Sequence, residues 1–478
     1  MINSKKKLLV NDIHSGLNET KVKTIFYPKS IKNIQKIIHN ALKQRLPISV
    51  TGGRHAMGGQ QFGGGVILVD MKRMQKVINF NYSKRTVKVE AGIQWPELIN
   101  FLLKVQKGRT KQWGIVQKQT GTATLSIGGT ISANAHGRRL TEKPFIDQVE
   151  SFVLIDATGR IIECSRKKNK KLFGLVIGGY GLFGIIAQVT LRLCPRVKVE
   201  RVVKIVPLKN LLSELNKFIK NGVLYADYQY SIDKSSDNFL REGILPYYRP
   251  VPITTQLSQK PIKFSMEEWR GLYYLAHVNG REAYERYCKF YLSTSGQVYW
   301  SDVSDLTDYI KHYHEKVDRQ LGLKHKSSEM ITEVYVPKNK LVRFMENVRA
   351  DFLKFDVSLI YGVIRLIKKD SESFLAWAKK DYACIIFNLH VDHTAQGIEK
   401  AKVNFRRIIE RTIQYEGSFY LTYHRWATRE QIEYCYPQFV DFLKLKLKYD
   451  PQEIFQSDWY RHYKEMFGDK LETCSRTI

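Results

Sequence analysis

Where this chain puts its glycines constrains its fold more than any other feature. Residues 49–60 read SVTGGRHAMGGQ, a strand-like run feeding a glycine-dense loop with one histidine in its middle. Glycine lets the backbone take positive φ and come close to a bulky ligand. Successive N–H groups in such a loop make a cradle for anions. Residues 120–137, TGTATLSIGGTISANAHG, are small and uncharged throughout. A stretch with little bulk and many backbone donors can lie flat against a ring system. Residues 172–184, LFGLVIGGYGLFG, form the third such segment.

Gly179 to Gly184 matches G-x-G-x-x-G, but that fingerprint requires a helix after the glycines. Residues 185–193 instead alternate, with Ala187, Val189, Leu191 and Leu193 set against Gln188, Thr190 and Arg192. Period two predicts a half-buried strand, so nicotinamide binding is not supported.

Taken in order, the three segments resemble the flavin-binding region of the vanillyl-alcohol oxidase / p-cresol methylhydroxylase superfamily over roughly the first 200 residues, a usual single-domain length. The resemblance implies an α+β fold: a two-subdomain FAD-binding domain of the p-cresol methylhydroxylase type over 1–205, an antiparallel-sheet substrate cap over 206–415, and a C-terminal segment, 416–478, that returns to the FAD domain. It implies FAD contacts from Gly52, Gly53, Arg54, His55, Ala56, Met57 and Gly58 in the first loop. In the later segments the implied contacts are Gly121, Ser126, Gly128, Gly129, Ala133, His136 and Ile186. His55 stands where histidyl-flavin relatives attach FAD covalently.

For catalysis the resemblance points to His136, Glu333 and Lys448. His136, in Ala-His-Gly, is similar to a histidine that lies near the flavin in sugar-lactone oxidases and in decaprenylphosphoryl-ribose oxidase. Glu333, in TEVYVP, is similar to the Glu-x-x-x-Pro strand of alditol and aldonolactone oxidases. Lys448, in KYDP, matches a lysine before Asp-Pro, and Lys446 competes if the register slips. The implied activity is oxidation of a CH–OH carbon of a sugar, polyol or lactone-like small molecule, with hydride passing to flavin and then to oxygen or a quinone-like carrier. The first loop also resembles that of cytokinin dehydrogenases, which leaves amine oxidation as a second reading. A third is a basic binding protein for nucleic acid or lipid with a degenerate flavin fold, against which the intact glycines of all three segments argue. His424, His390 and His393 are weaker candidates. The His390/His393 pair suggests a metal, but with no third ligand evident in the sequence no metal site is expected.

Lys and Arg total 77 against 46 Asp and Glu, a net charge of +31. They are spread along the chain without a nucleic-acid-binding signature, so no specific nucleic acid is expected. The densest run, residues 166–171, reads as a solvated turn. A basic surface suits anionic substrates or peripheral contact with anionic lipid. Six scattered cysteines without C-x-x-C spacing suggest free thiols, and the apolar run after Lys5–Lys7 is short for a signal peptide, so a cytoplasmic protein is expected. Hydrophobic periodicity predicts a helix over 30–45 with Ser30 as cap, strands at 47–50, 66–70 and 86–90, and a helix over 94–103. Beyond residue 208 the chain is tyrosine-rich, with strands expected at 330–336, 358–367 and 383–390 and helices at 340–353 and 397–410. Tyrosines on that sheet either face substrate or pack the core.

Overall fold

The computed structural model describes residues 8–302 and 313–472; Lys5–Lys7 and Cys474 lie outside them. The amphipathic helix forms over Ile31–Gln44, with the Ser30 hydroxyl accepting from the Asn33 N–H and Ile34, Ile37, Ile38 and Ala41 buried. It connects Thr24–Phe26 to Ile48–Thr51, two outer strands of a parallel sheet whose centre is Ile67–Asp70. All four central residues are buried, as a strand covered on both faces requires. The histidine loop is therefore the crossover between the neighbouring parallel strands Ile48–Thr51 and Ile67–Asp70.

An antiparallel sheet stands beside it, in the order Ile161–Ser165, Val149–Ile155, Ile185–Pro195, Thr86–Glu90, Val77–Asn81, with Trp113–Ile115 paired to Ile185–Pro195. The expected strand after the third glycine segment is present, with Ala187, Val189, Leu191 and Leu193 buried and Arg192 exposed. A register shift between Ile186 and Gln188 bends it at its start. The helix Trp95–Val105 carries Pro96 in its first turn, where no N–H is needed.

The second half holds two antiparallel sheets rather than one. In the first, Glu242–Val251 lies between Lys198–Pro207 and the short strands Tyr225–Ala226 and Gln229–Tyr230. In the second, Ser327–Pro337 and Leu359–Ile367 flank Tyr382–Asp392. The bridge between Tyr228 and Ile364 links the two sheets. Helices Leu341–Lys354 and Ala395–Gln414 flank the second sheet. The break expected at residue 205 falls inside the strand Lys198–Pro207, which pairs along its length with Glu242–Val251. Ser418–Phe419 pairs with Val334 and Tyr335 in the second sheet, whereas the chain near Phe455 rejoins the parallel sheet at Ile48.

The basic run is an exposed bend over residues 167–169, but Arg166 departs from that expectation by donating to Glu372 and to the carbonyls of Val149 and Ile146, and Lys170 opens the helix Lys170–Val176. Of the two roles open to the tyrosines, Tyr225, Tyr228, Tyr230 and Tyr248 take core packing. The five described cysteines are unbridged. Among the described residues, no helix is long and apolar enough to cross a membrane.

Candidate active site

The three glycine segments converge on one cavity of about 240 Å³. The first supplies Gly52, Gly53, Arg54, His55, Ala56 and Met57; the second supplies Gly121, Ser126, Gly128, Gly129 and Ala133. Ile186, aimed by the strand irregularity, comes from the third region together with Tyr180, Gly181 and Gly184. Ile331, Tyr420, Thr422 and Tyr423 close the opposite side. The two sides are bonded together: Gln60 donates to the Leu421 carbonyl at 2.7 Å, the Met57 N–H to the Thr422 carbonyl at 3.2 Å, and the Tyr420 hydroxyl to the Ala133 carbonyl at 2.7 Å.

Glycine is required here by approach as well as by conformation. The Gly128 N–H donates to the Ala91 carbonyl at 2.7 Å, and a Cβ on Gly128 would sit 3.0 Å from both that oxygen and the Ala91 methyl. Gly121 has φ +91°, and a Cβ there would meet nothing within 4 Å, so the wall stays bare backbone. Arg54 and Tyr180 hold left-handed φ of 62° and 53° although they are not glycine, the strain expected where a site over-determines its backbone. Arg54 is held by Asp70 at 3.0 Å. Ser126 caps the helix Ile127–Ala133 by accepting from the Gly129 N–H.

Both ring nitrogens of His55 are engaged. Nε2 lies 3.0 Å from Thr124 Oγ1, and Nδ1 lies 2.8 Å from Nε2 of His14. Burial pulls His14 down to about 4 despite the neighbouring Asp12 carboxylate, so near neutral pH it is an uncharged imidazole. Asp12 fixes that turn by accepting from the N–H groups of His14, Ser15 and Gly16 and from the Asn18 amide.

His136 and Glu333 meet but do not line the cavity. His136 Nε2 is 2.7 Å from Glu333 Oε1, and both side chains are buried. Glu333 also accepts from the hydroxyls of Tyr335 and Tyr423, the latter at 3.0 Å on Oε2. Burial by itself would raise Glu333. His136 and the donated hydrogen bonds outweigh it and hold the carboxyl below its ordinary range. Burial first, then Glu333, keeps the Tyr423 phenol well above its ordinary range and so protonated. Tyr423 thus stands between the buried pair and the cavity wall it belongs to.

Other expected positions fall elsewhere. Gly58 lies outside the lining and donates to Gln60 Oε1, while Gln60 and Gln61 face the cavity. Lys448 is exposed at the end of the helix Phe439–Tyr449 and does not reach the cavity, because the helical phase turns Lys446 inward instead. Lys446 is fully buried and paired with Asp450, which also accepts from the N–H groups of Ile454 and Phe455. This is a fold-closing contact, and neither lysine lines the cavity. His424 is buried between the rings of Phe405 and Trp426. His14, Tyr420 and Tyr423 had no signal in local sequence, since each reaches the site from a segment without glycine patterning.

A bare-backbone trough with few charges, closed by tyrosines, fits a flat ring system extended by phosphates. Residues 22–165 match the FAD binding domain family. The chain is 31% identical over 173 residues to an uncharacterized oxidoreductase, ORF5 in the fasciation locus, of Rhodococcoides fascians, covering 35% of this chain and 37% of the relative. It is 25% identical over 239 residues to L-gulonolactone oxidase of Bos taurus, covering 47% and 52%. It is 22% identical over 466 residues to cytokinin dehydrogenase 5 of Arabidopsis thaliana, covering 90% and 82%. The chain thus spans about a third to a half of the length of the first two of these relatives. The cavity built by three glycine segments and the matched domain lead to one conclusion: residues 22–165 form an FAD-binding domain, similar to that of the oxidases and dehydrogenases of the vanillyl-alcohol oxidase / p-cresol methylhydroxylase superfamily.

Proposed function

We propose that this chain oxidises a CH–OH carbon of a sugar, polyol or lactone-like substrate, with FAD held in the cavity described above. The observation that carries this reading is the run of contacts from the cavity inward, Tyr423 to Glu333 to His136. When bound, FAD supplies the acceptor for the hydride that leaves the substrate carbon. The protein must dispose of the hydroxyl proton. Tyr423 takes that proton on its phenolic oxygen while its own passes to Glu333 Oε2. His136, on the other oxygen, positions the carboxylate. Proton handling of this kind contributes roughly 10²–10⁴-fold to rate.

Gly52, Gly53, Gly121, Gly128 and Gly129 form the backbone wall for the cofactor in this reading, and Ile186 packs against it. His55 is the covalent attachment point. The uncharged His14, 2.8 Å away, would orient the His55 ring for that attachment. Cofactor binding falls mainly to the chain before the strand Lys198–Pro207, and the substrate cap to the two antiparallel sheets that follow.

Amine oxidation is the second reading, favoured by the likeness to cytokinin dehydrogenase 5 along 90% of the chain. The deciding experiment follows anaerobic bleaching of the yellow protein with panels of sugars, polyols, aldonolactones and secondary amines. Bleaching by the hydroxylated panel supports the proposal. Bleaching by amines alone overturns it.

A further inference from the structure

On the same face of the strand Ser327–Pro337 as Ile331, but outside the cavity lining, three imidazoles surround one buried carboxylate. His277 Nε2 lies 3.1 Å from Glu329 Oε1, and His314 Nε2 lies 3.0 Å from Glu329 Oε2. His390 Nδ1 lies 3.9 Å from Glu329 Oε1 and 3.3 Å from His277 Nε2. The candidate ligand atoms of His277, Glu329 and His390 all fall within 4.8 Å of one another. They come from three elements, the helix Met266–Val278 and the strands Ser327–Pro337 and Tyr382–Asp392, while His314 stands on the helix Tyr313–Gln320. The sequence reading found no third ligand for the His390/His393 pair because the partners of His390 are remote in sequence. His393 turns instead to the Ser328 hydroxyl at 2.8 Å.

We propose that His277, His390 and Glu329 form a three-ligand site for a divalent transition ion of the zinc class, with His314 holding the other oxygen of Glu329. Spacings of 3.1–3.9 Å among His277 Nε2, His390 Nδ1 and Glu329 Oε1 are close to those around a tetrahedral ion with bonds of about 2.0–2.1 Å, which needs only small side-chain adjustments to enter. Two imidazole donors and a carboxylate are hard to explain as a simple ion pair, since one carboxylate needs only one cation. The outer contacts are those that orient metal-bound histidines. His277 directs its other nitrogen to the Tyr273 carbonyl at 2.7 Å. His390 directs its own to Asp392 at 3.2 Å, and His325 holds that carboxylate from the other side at 2.9 Å. Three protein ligands leave the fourth position to water or a small ligand, and the ion ties the helix Met266–Val278 to the cap sheet.

The test strips the purified FAD-loaded protein with a chelator and titrates it with Zn²⁺ and, separately, Co²⁺. One ion per chain, a higher Tm with Zn²⁺, and tetrahedral Co²⁺ bands to the red of the flavin absorption are expected, with flavin content unchanged. His277→Ala/His390→Ala and Glu329→Gln proteins should lose both the bands and the Tm gain. If the stripped parent protein shows neither band nor Tm gain, the proposal is overturned, whatever the variants do. Equal metal uptake by the folded double variant also overturns it.

Discussion

Replacing Tyr423 by Phe removes one oxygen from the cavity wall and tests the proposed proton route. In the folded protein that hydroxyl donates to Glu333 Oε2 at 3.0 Å, and Glu333 retains its bonds from His136 and Tyr335. Loss of one hydrogen bond to a charged acceptor costs about 1.5–3 kcal/mol of stability, so the variant should fold and retain flavin. The chemical step should suffer more. Removing a positioned proton acceptor should slow flavin reduction by about 10²–10⁴-fold, equivalent to roughly 3–5 kcal/mol of barrier. The assay is anaerobic stopped-flow bleaching with the best substrate of the panel. Tyr420→Phe is the internal control. That hydroxyl belongs to the same cavity but donates to the Ala133 carbonyl, so its loss leaves Glu333 untouched. Flavin reduction by Tyr423→Phe within about threefold of the parent, or equal slowing by Tyr420→Phe, would refute the reasoning, since neither fits a general-base role.

Three further outcomes are expected. His55→Ala should release all flavin on acid precipitation, whereas the parent polypeptide stays yellow and fluoresces on a denaturing gel; a colourless parent would remove the covalent attachment. Gly128→Ala should destabilise by about 1–3 kcal/mol through overpacking against Ala91 and weaken FAD binding, read as a lowered Tm and a raised Kd; unchanged values would mean the close approach is not needed. Burial lowers His424 from 6.5 to about 3, so the unfolded chain takes up a proton that the folded chain refuses. Stability from this group is complete above pH about 6.5 and is lost as pH falls toward 3, at up to ~1.4 kcal/mol per pH unit. His424→Phe should flatten that acid limb in denaturant titrations across pH; an identical limb in both proteins would show that His424 contributes nothing to it.

Much of the cavity lining was legible in the sequence because close backbone approach selects glycine locally. Gly52, Gly53, Gly128 and Gly129 lie on the wall where a Cβ would crowd Ser126, the Thr124 carbonyl, Ala91 and Ser126 in turn. The strand after Gly184 was legible for a similar reason, since period two is a property of adjacent residues. Helical phase was not. Whether Lys446 or Lys448 points inward depends on how the helix Phe439–Tyr449 rolls against the rest of the fold, and packing chose Lys446.

What only the tertiary structure decided is which distant side chains share a hydrogen bond. His136 finds Glu333 across 197 residues, and His55 finds His14 across 41. Glu329 gathers histidines from two helices and a strand. Local pattern fixes which backbone can lie against a ring system. Ion pairs and ligand sets depend on where long-range sheet pairing brings elements together, and no spacing along the chain encodes that.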